Sequence, residues 1–266
     1  MTKICVITPW AEEISQHFRE LAEHSAKGLG PDTIIETRGL KPGLTGAFNS
    51  PSSYVALLSK GQVVERIIEA EKEGYGAVVV HCFLDPGVRE GRGVVNIPVV
   101  GCGEPTLLLA CMLGHKFAVV LPNDPRLPPD YLNMIRLFSL EGRALPNPLY
   151  PMSMTLKEFA FEGPESEKVM KDLLDKCEAC VADGADVVVA GCSGIGPLFT
   201  IAGIAKIPGT EVPILDCLAV GLKTAEAYVD FKTRMGLPSA SRGGMYSMLR
   251  EKDLKRVRAD FGLKAF

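Results

Sequence analysis

No stretch of this 266-residue chain approaches the roughly 20 consecutive apolar residues that a helix needs to cross a bilayer. The N-terminus also lacks the apolar segment of a secretory signal, because Ile4-Cys5-Val6-Ile7 is short and is stopped by Pro9. These two absences set the expectation of a cytoplasmic protein that does not partner a membrane. Excess basic charge is missing too: the formal net charge is -3 and is spread along the chain, which argues against nucleic acid as a partner. Small molecules are then the default ligand class. The eight cysteines read as reduced thiols, since a chain that is 47% hydrophobic buries a sizeable core without disulfide staples. A single C-x-x-C, Cys177 with Cys180, has no second pair and no histidine beside it, so it reads as the core of a helix and no metal site is expected.

What is present is a recurrence of short β-branched runs followed by helical patterns, the mark of parallel strands with crossover helices. Strands are expected at residues 3–8, 33–37, 77–81, 95–100, 116–121, 186–190 and 212–215. Most are continuously apolar, as strands covered on both faces are. Helices are expected at 59–73, where Val63, Val64, Ile67, Ile68 and Ala70 form one face, and at 165–183, where Val169, Met170, Leu173, Leu174, Cys177 and Val181 do the same. Gly74 and Gly184 stop them. Three stretches break the pattern. Residues 40–53 read as a long Gly/Pro/Ser-rich loop, 122–151 as a proline-rich segment with a helix near 131–140, and 237–245 as a connection to a final basic helix.

The chain also repeats itself at a period of about 110 residues. Lys3-Ile4-Cys5-Val6-Ile7-Thr8-Pro9 matches Lys116-Phe117-Ala118-Val119-Val120-Leu121-Pro122, and the runs ending in His81-Cys82 and Gly191-Cys192 match in the same order. Ile97-Pro98-Val99-Val100-Gly101 then matches Val212-Pro213-Ile214-Leu215-Asp216. The expected fold is α/β, with two pseudo-symmetric lobes of mostly parallel sheet, 1–100 plus 216–266 and 101–215, and a cleft between them.

Cys82 and Cys192 both stand where a buried strand gives way to a turn, the place where parallel sheets bind ligands. Backbone N–H groups of the following turn would favour the thiolate and lower its pKa. A thiol and a thiolate on opposite sides of a substrate are what inversion of an acidic carbon requires: one removes the proton, the other returns it from the far face, and no cofactor takes part. The developing enolate would be held by N–H groups near Phe83, Ser193 and Gly194. The other cysteines read as core, with Cys5 in a strand, Cys111 near a helix end before His115, and Cys102 and Cys217 after equivalent strands at the interface of the lobes. His81 either tunes Cys82 or is simply packed. Asp85, in Asp85-Pro86-Gly87, reads as a turn residue and helix cap.

At these residues the chain resembles the Asp/Glu/hydantoin racemase superfamily, and within it the hydantoin and allantoin racemase branch. The C-F-x-D-P-G motif stands as Cys82-Phe83-Leu84-Asp85-Pro86-Gly87, the G-C-[AS]-G-[MI] motif as Gly191-Cys192-Ser193-Gly194-Ile195, and the P-V-V-G-x-G-E segment as residues 98–104. The resemblance implies a two-lobed pseudo-symmetric fold, cofactor-free proton transfer by Cys82 and Cys192, a small-molecule substrate and a homo-oligomer. Two pocket segments depart from the family pattern: its N-P-N turn reads Thr8-Pro9-Trp10, and its G-P-x-S loop reads Ser50-Pro51-Ser52-Ser53. Thr8 and Ser53 are therefore expected among the substrate-binding residues. The reading that follows is a racemase or epimerase of a hydantoin, allantoin or amino acid. Its alternatives are a decarboxylase or cis-trans isomerase of a small dicarboxylate on the same scaffold, and a ligand-binding relative without turnover.

Overall fold

Two four-stranded parallel sheets with the same internal order organise the molecule, seen in a computed structural model that describes residues 1–45, 52–155, 158 and 166–263. In the first sheet, β1 (Thr2–Ala11) and β3 (Ala77–Val80) lie centrally between β2 (Thr33–Leu40) and β4 (Val99–Val100), in the order β2-β1-β3-β4. In the second, β5 (Phe117–Leu121), β6 (Ala144–Pro151), β7 (Val187–Ala190) and β8 (Ile214–Asp216) take the order β6-β5-β7-β8. Every pairing within them is parallel. The repeat in the sequence is thus a repeat in topology.

The helices are α1 (Gln16–Ser25), α2 (Ser53–Lys72), α3 (Val88–Arg92), α4 (Gly103–Leu113), α5 (Pro128–Leu137), α6 (Ser166–Ala182), α7 (Gly196–Ile201), α8 (Cys217–Met235) and α9 (Glu251–Asp260). The central strands β1, β3, β5 and β7 bury both faces, but against different neighbours. Val78 and Val80 pack outward on Val63, Ile67 and Ile68 of α2, while Val188 and Ala190 pack on Val169, Leu173, Cys177 and Cys180 of α6. The alternate residues Ile4, Val6, Val79, Val119, Val187 and Val189 face inward into one shared core with Leu107 of α4 and Leu218 and Leu222 of α8. Burial on both sides is why these strands carry no polar alternation.

The crossover helices are exchanged between the sheets. Helix α4 leaves the first sheet and packs on β7 and β8, and α8 leaves the second and packs on β1, β3 and β4. This exchange supports dividing the chain into 1–100 plus 216–266 and 101–215, the two lobes we propose. The terminal α9 closes on α2 through Arg258, whose guanidinium donates to both carboxylate oxygens of Glu65 at 2.8 and 2.6 Å.

Several elements differ from the sequence expectation. Strand β1 runs three residues past Thr8, and α2 begins at Ser53 rather than at 59. Residues 46–51 of the expected 40–53 loop, and Glu165 at the expected start of α6, lie outside the described residues. Strand β6 was not anticipated, because Ala-Leu-Pro-Asn-Pro-Leu-Tyr-Pro reads as loop. It sits at the edge of its sheet, where proline's missing N–H breaks no ladder. Val95 is buried in the loop before β4, not in the strand.

Candidate active site

Strands β3 and β7 end side by side with the two thiols, and both Cys82 and Cys192 line one cavity of about 160 Å³. A space of that size holds a ligand of about one small ring. Phe83, Ser193 and Gly194 line it as well, so five of the residues expected from sequence are brought together. Thr8 is fully buried behind the wall, its hydroxyl 3.0 Å from Ser15 Oγ. Ser53 is exposed at the first turn of α2. In their places stand Pro9 and Trp10, carried forward by the longer β1, and Ala56 and Ser59, carried forward by the longer α2. A larger and more open depression of about 560 Å³ holds neither cysteine, and its Arg19, Arg38 and Arg66 are paired with Glu12 and Glu36.

The two half-sites are built alike. The backbone N–H of Gly194 donates to Cys192 Sγ at 3.4 Å, and the N–H of Leu84, also two residues on, favours the Cys82 thiolate. These donors act in the direction expected from sequence, yet burial outweighs them. The Cys192 thiol is pushed up to about 11, and that of Cys82 higher still, because desolvation and its neighbour's charge both disfavour a second anion. Cys192 is the more readily ionised of the two.

Glycines next to the site are there because backbone or side chains come too close for anything larger. A Cβ on Gly191 would stand 2.2 Å from Val119 Cγ1, and one on Gly101 would stand 2.0 Å from Asp85 Oδ1. Asp85 occupies the left-handed region at φ 50 and accepts hydrogen bonds from Gly103 N at 2.8 Å and Glu104 N at 2.7 Å. It is a helix cap as expected, but of α4 rather than of the helix that follows it. Burial raises its carboxyl to about 7 against the pull of these N–H groups. Asp216, at the end of β8 in the second sheet, caps the helix that directly follows it, accepting from Leu218 N and Ala219 N at the start of α8.

Tyr131 is a site residue that the sequence did not single out. Its ring stacks on Phe83 with centroids 5.2 Å apart, and its hydroxyl donates to Gly191 O, so α5 holds both cysteine loops at once. Trp10 stacks on Phe18 at 5.9 Å, and both rings line the cavity. A hint lay in an aromatic directly after a strand-end proline, but helix-borne Tyr131 gave no signal, since only packing brings it across.

Comparisons with known proteins agree with this arrangement. A family model described as Asp/Glu/Hydantoin racemase matches residues 12–225. A hydantoin racemase of Pseudomonas sp. (strain NS671) is 32% identical over 209 residues, covering 78% of this chain and 79% of that protein. The structures of allantoin racemases from Klebsiella pneumoniae and Pseudomonas fluorescens share the fold. The first has a TM-score of 0.76 at 20% identity and covers 94% of each chain. The second has a TM-score of 0.74 at 22% identity and covers 94% of this chain and 97% of the other.

Proposed function

This chain belongs to the Asp/Glu/hydantoin racemase family and is a racemase by class, and from that premise we propose that it inverts a carbon beside a carbonyl in a hydantoin- or allantoin-type compound, using Cys82 and Cys192 as its two bases. The observation that carries this reading is the presence of both thiols, on equivalent strand ends of two repeated halves, in the wall of one small cavity.

For one enantiomer, the Cys192 thiolate takes the α-hydrogen as a proton, and the electron pair of the C–H bond moves into the adjacent carbonyl as an enolate. Cys82 Sγ–H then delivers its proton to the opposite face, leaving Cys82 as thiolate and Cys192 as thiol. The other enantiomer runs the same steps backwards. Backbone N–H groups of Phe83 and Ser193 stabilise the enolate oxygen. Catalysis of this type uses no cofactor. We also propose a cytoplasmic location and a homo-oligomeric state; separately, no helix among the described residues is long and apolar enough to cross a membrane.

The test is racemisation of a single enantiomer of a 5-substituted hydantoin, and of allantoin, in deuterated water. Wild type is expected to lose optical rotation as it takes up deuterium, and Cys82→Ala and Cys192→Ala each to lose rate by at least about 10²-fold, the scale of a positioned acid or base. Racemisation that survives in both variants refutes the two-thiol mechanism.

A further inference from the structure

His81 is only 2% exposed, yet among the described residues neither its Nδ1 nor its Nε2 has a hydrogen-bond partner. Its ring meets Phe18 edge to face at 5.6 Å and forms part of the cavity wall. Among the described residues, the other buried polar side-chain atoms without a partner are Tyr75 Oη and His24 Nδ1, neither of them in the cavity wall, and most buried polar groups are matched. Thr8 meets Ser15, Ser25 donates to Asp216, and Thr106 donates to Cys102 O. His81 differs in that both of its ring nitrogens are unmatched and that it belongs to the wall of the cavity holding the two thiols, beside Trp10, Phe18, Leu44 and Leu84, a placement that packing alone does not explain. Burial drives its pKa down to about 4, so the ring is neutral and offers one donor and one acceptor.

We propose that His81 is a substrate-binding residue, which hydrogen-bonds a neutral amide or ureide group of the ligand while the cysteines face the inverting carbon. The assignment deepens the racemase reading and rests on its substrate class. The ureide can come from the hydantoin ring or from an open-chain ureido substituent. A site built to satisfy such a group discriminates against ligands without it, because the imidazole is then left unmatched.

The experiment is a binding titration followed by fluorescence of Trp10, the only tryptophan in the chain and a cavity residue. Two probes are used: 5,5-dimethylhydantoin, which has no α-hydrogen and so reports binding alone, and allantoin, which adds a ureido arm. His81→Phe keeps the aromatic contact with Phe18 and removes the hydrogen bonds, and is expected to raise Kd about tenfold, the effect of one lost hydrogen bond. His81→Asn, which retains a donor and an acceptor, is expected to recover part of it. Equal weakening of both probes assigns the contact to the ring, and weakening of allantoin alone assigns it to the ureido arm. Far-UV circular dichroism and the melting temperature report whether each variant is folded. An unchanged Kd for both probes in folded His81→Phe overturns the proposal, as does a wild type that binds neither. Wild type that binds both probes but exchanges no α-hydrogen from allantoin instead refutes the racemase mechanism and leaves His81 as a binding residue.

Discussion

Replacing Gly103 by alanine tests whether the packing of α4 on the Cys82 loop sets the geometry of the site. A Cβ there would stand 2.0 Å from the carbonyl oxygen of Phe83 and 2.6 Å from Met134 Cε. The methionine can swing aside, but the carbonyl belongs to the backbone of the cysteine loop and falls about 1.4 Å short of ordinary contact. Either α4 retreats, breaking the bonds from Gly103 N and Glu104 N to Asp85, or the loop moves and takes Cys82 with it. Overpacking costs about 1–3 kcal/mol and a hydrogen bond to a charged group contributes about 1.5–3 kcal/mol, so a loss on the order of 3–5 kcal/mol is expected. At about 2–4 °C per kcal/mol the melting temperature falls by roughly 6–20 °C. A displacement of about 1 Å also costs on the order of 10²-fold in rate. Gly61→Ala is the control: nothing lies within 4 Å of a Cβ at this exposed position inside α2, so stability rises by about 0.5–1 kcal/mol. The assay is calorimetry on the three proteins beside α-hydrogen exchange into deuterated water. Gly103→Ala with wild-type melting and wild-type exchange refutes the argument.

Three further outcomes follow from the same structure. Because burial places the Cys192 thiol near 11, the exchange rate should climb about tenfold per pH unit from pH 7 to 10; a plateau below pH 8 would mean that a thiolate is already formed at neutrality. Asp85 has a folded pKa of about 7, raised above the roughly 3.9 of an unfolded aspartate. Its protonated form is therefore favoured by folding, and the stability this brings is present below about pH 4 and lost as pH rises through 7, on the order of 2–4 kcal/mol. Denaturant titrations of wild type and Asp85→Asn across that window should differ in slope, and parallel curves refute the assignment. Finally, Arg258→Ala removes the paired contact with Glu65 that ties α9 to α2. Faster amide exchange confined to residues 251–260, with activity retained, is expected from a loss of about 1.5–3 kcal/mol, and unchanged exchange there would show that other contacts hold the helix.

The sequence by itself determined the parallel α/β class, the repeat and the two cysteines, because these are written in local patterns. Short β-branched apolar runs that alternate with helical patterns read as strands covered on both sides, and a cysteine directly after such a run reads as the carboxyl end of a strand. Where local pattern and tertiary context disagreed, the sequence misled. Proline-laden β6 is a strand because it sits at an edge, and Thr8 is hidden because β1 continues to Ala11. The tertiary structure alone decided that Asp85 caps a helix 18 residues away, that Tyr131 bridges the two cysteine loops, and that burial overrides the N–H groups in setting the thiols. Each of these depends on distances between segments far apart in the chain and on the exclusion of water, and neither quantity is encoded in any short stretch of residues. His81 shows the division most clearly. Its position next to Cys82 is evident from sequence, but that it belongs to the cavity wall and leaves both nitrogens unmatched is a property of the packed core.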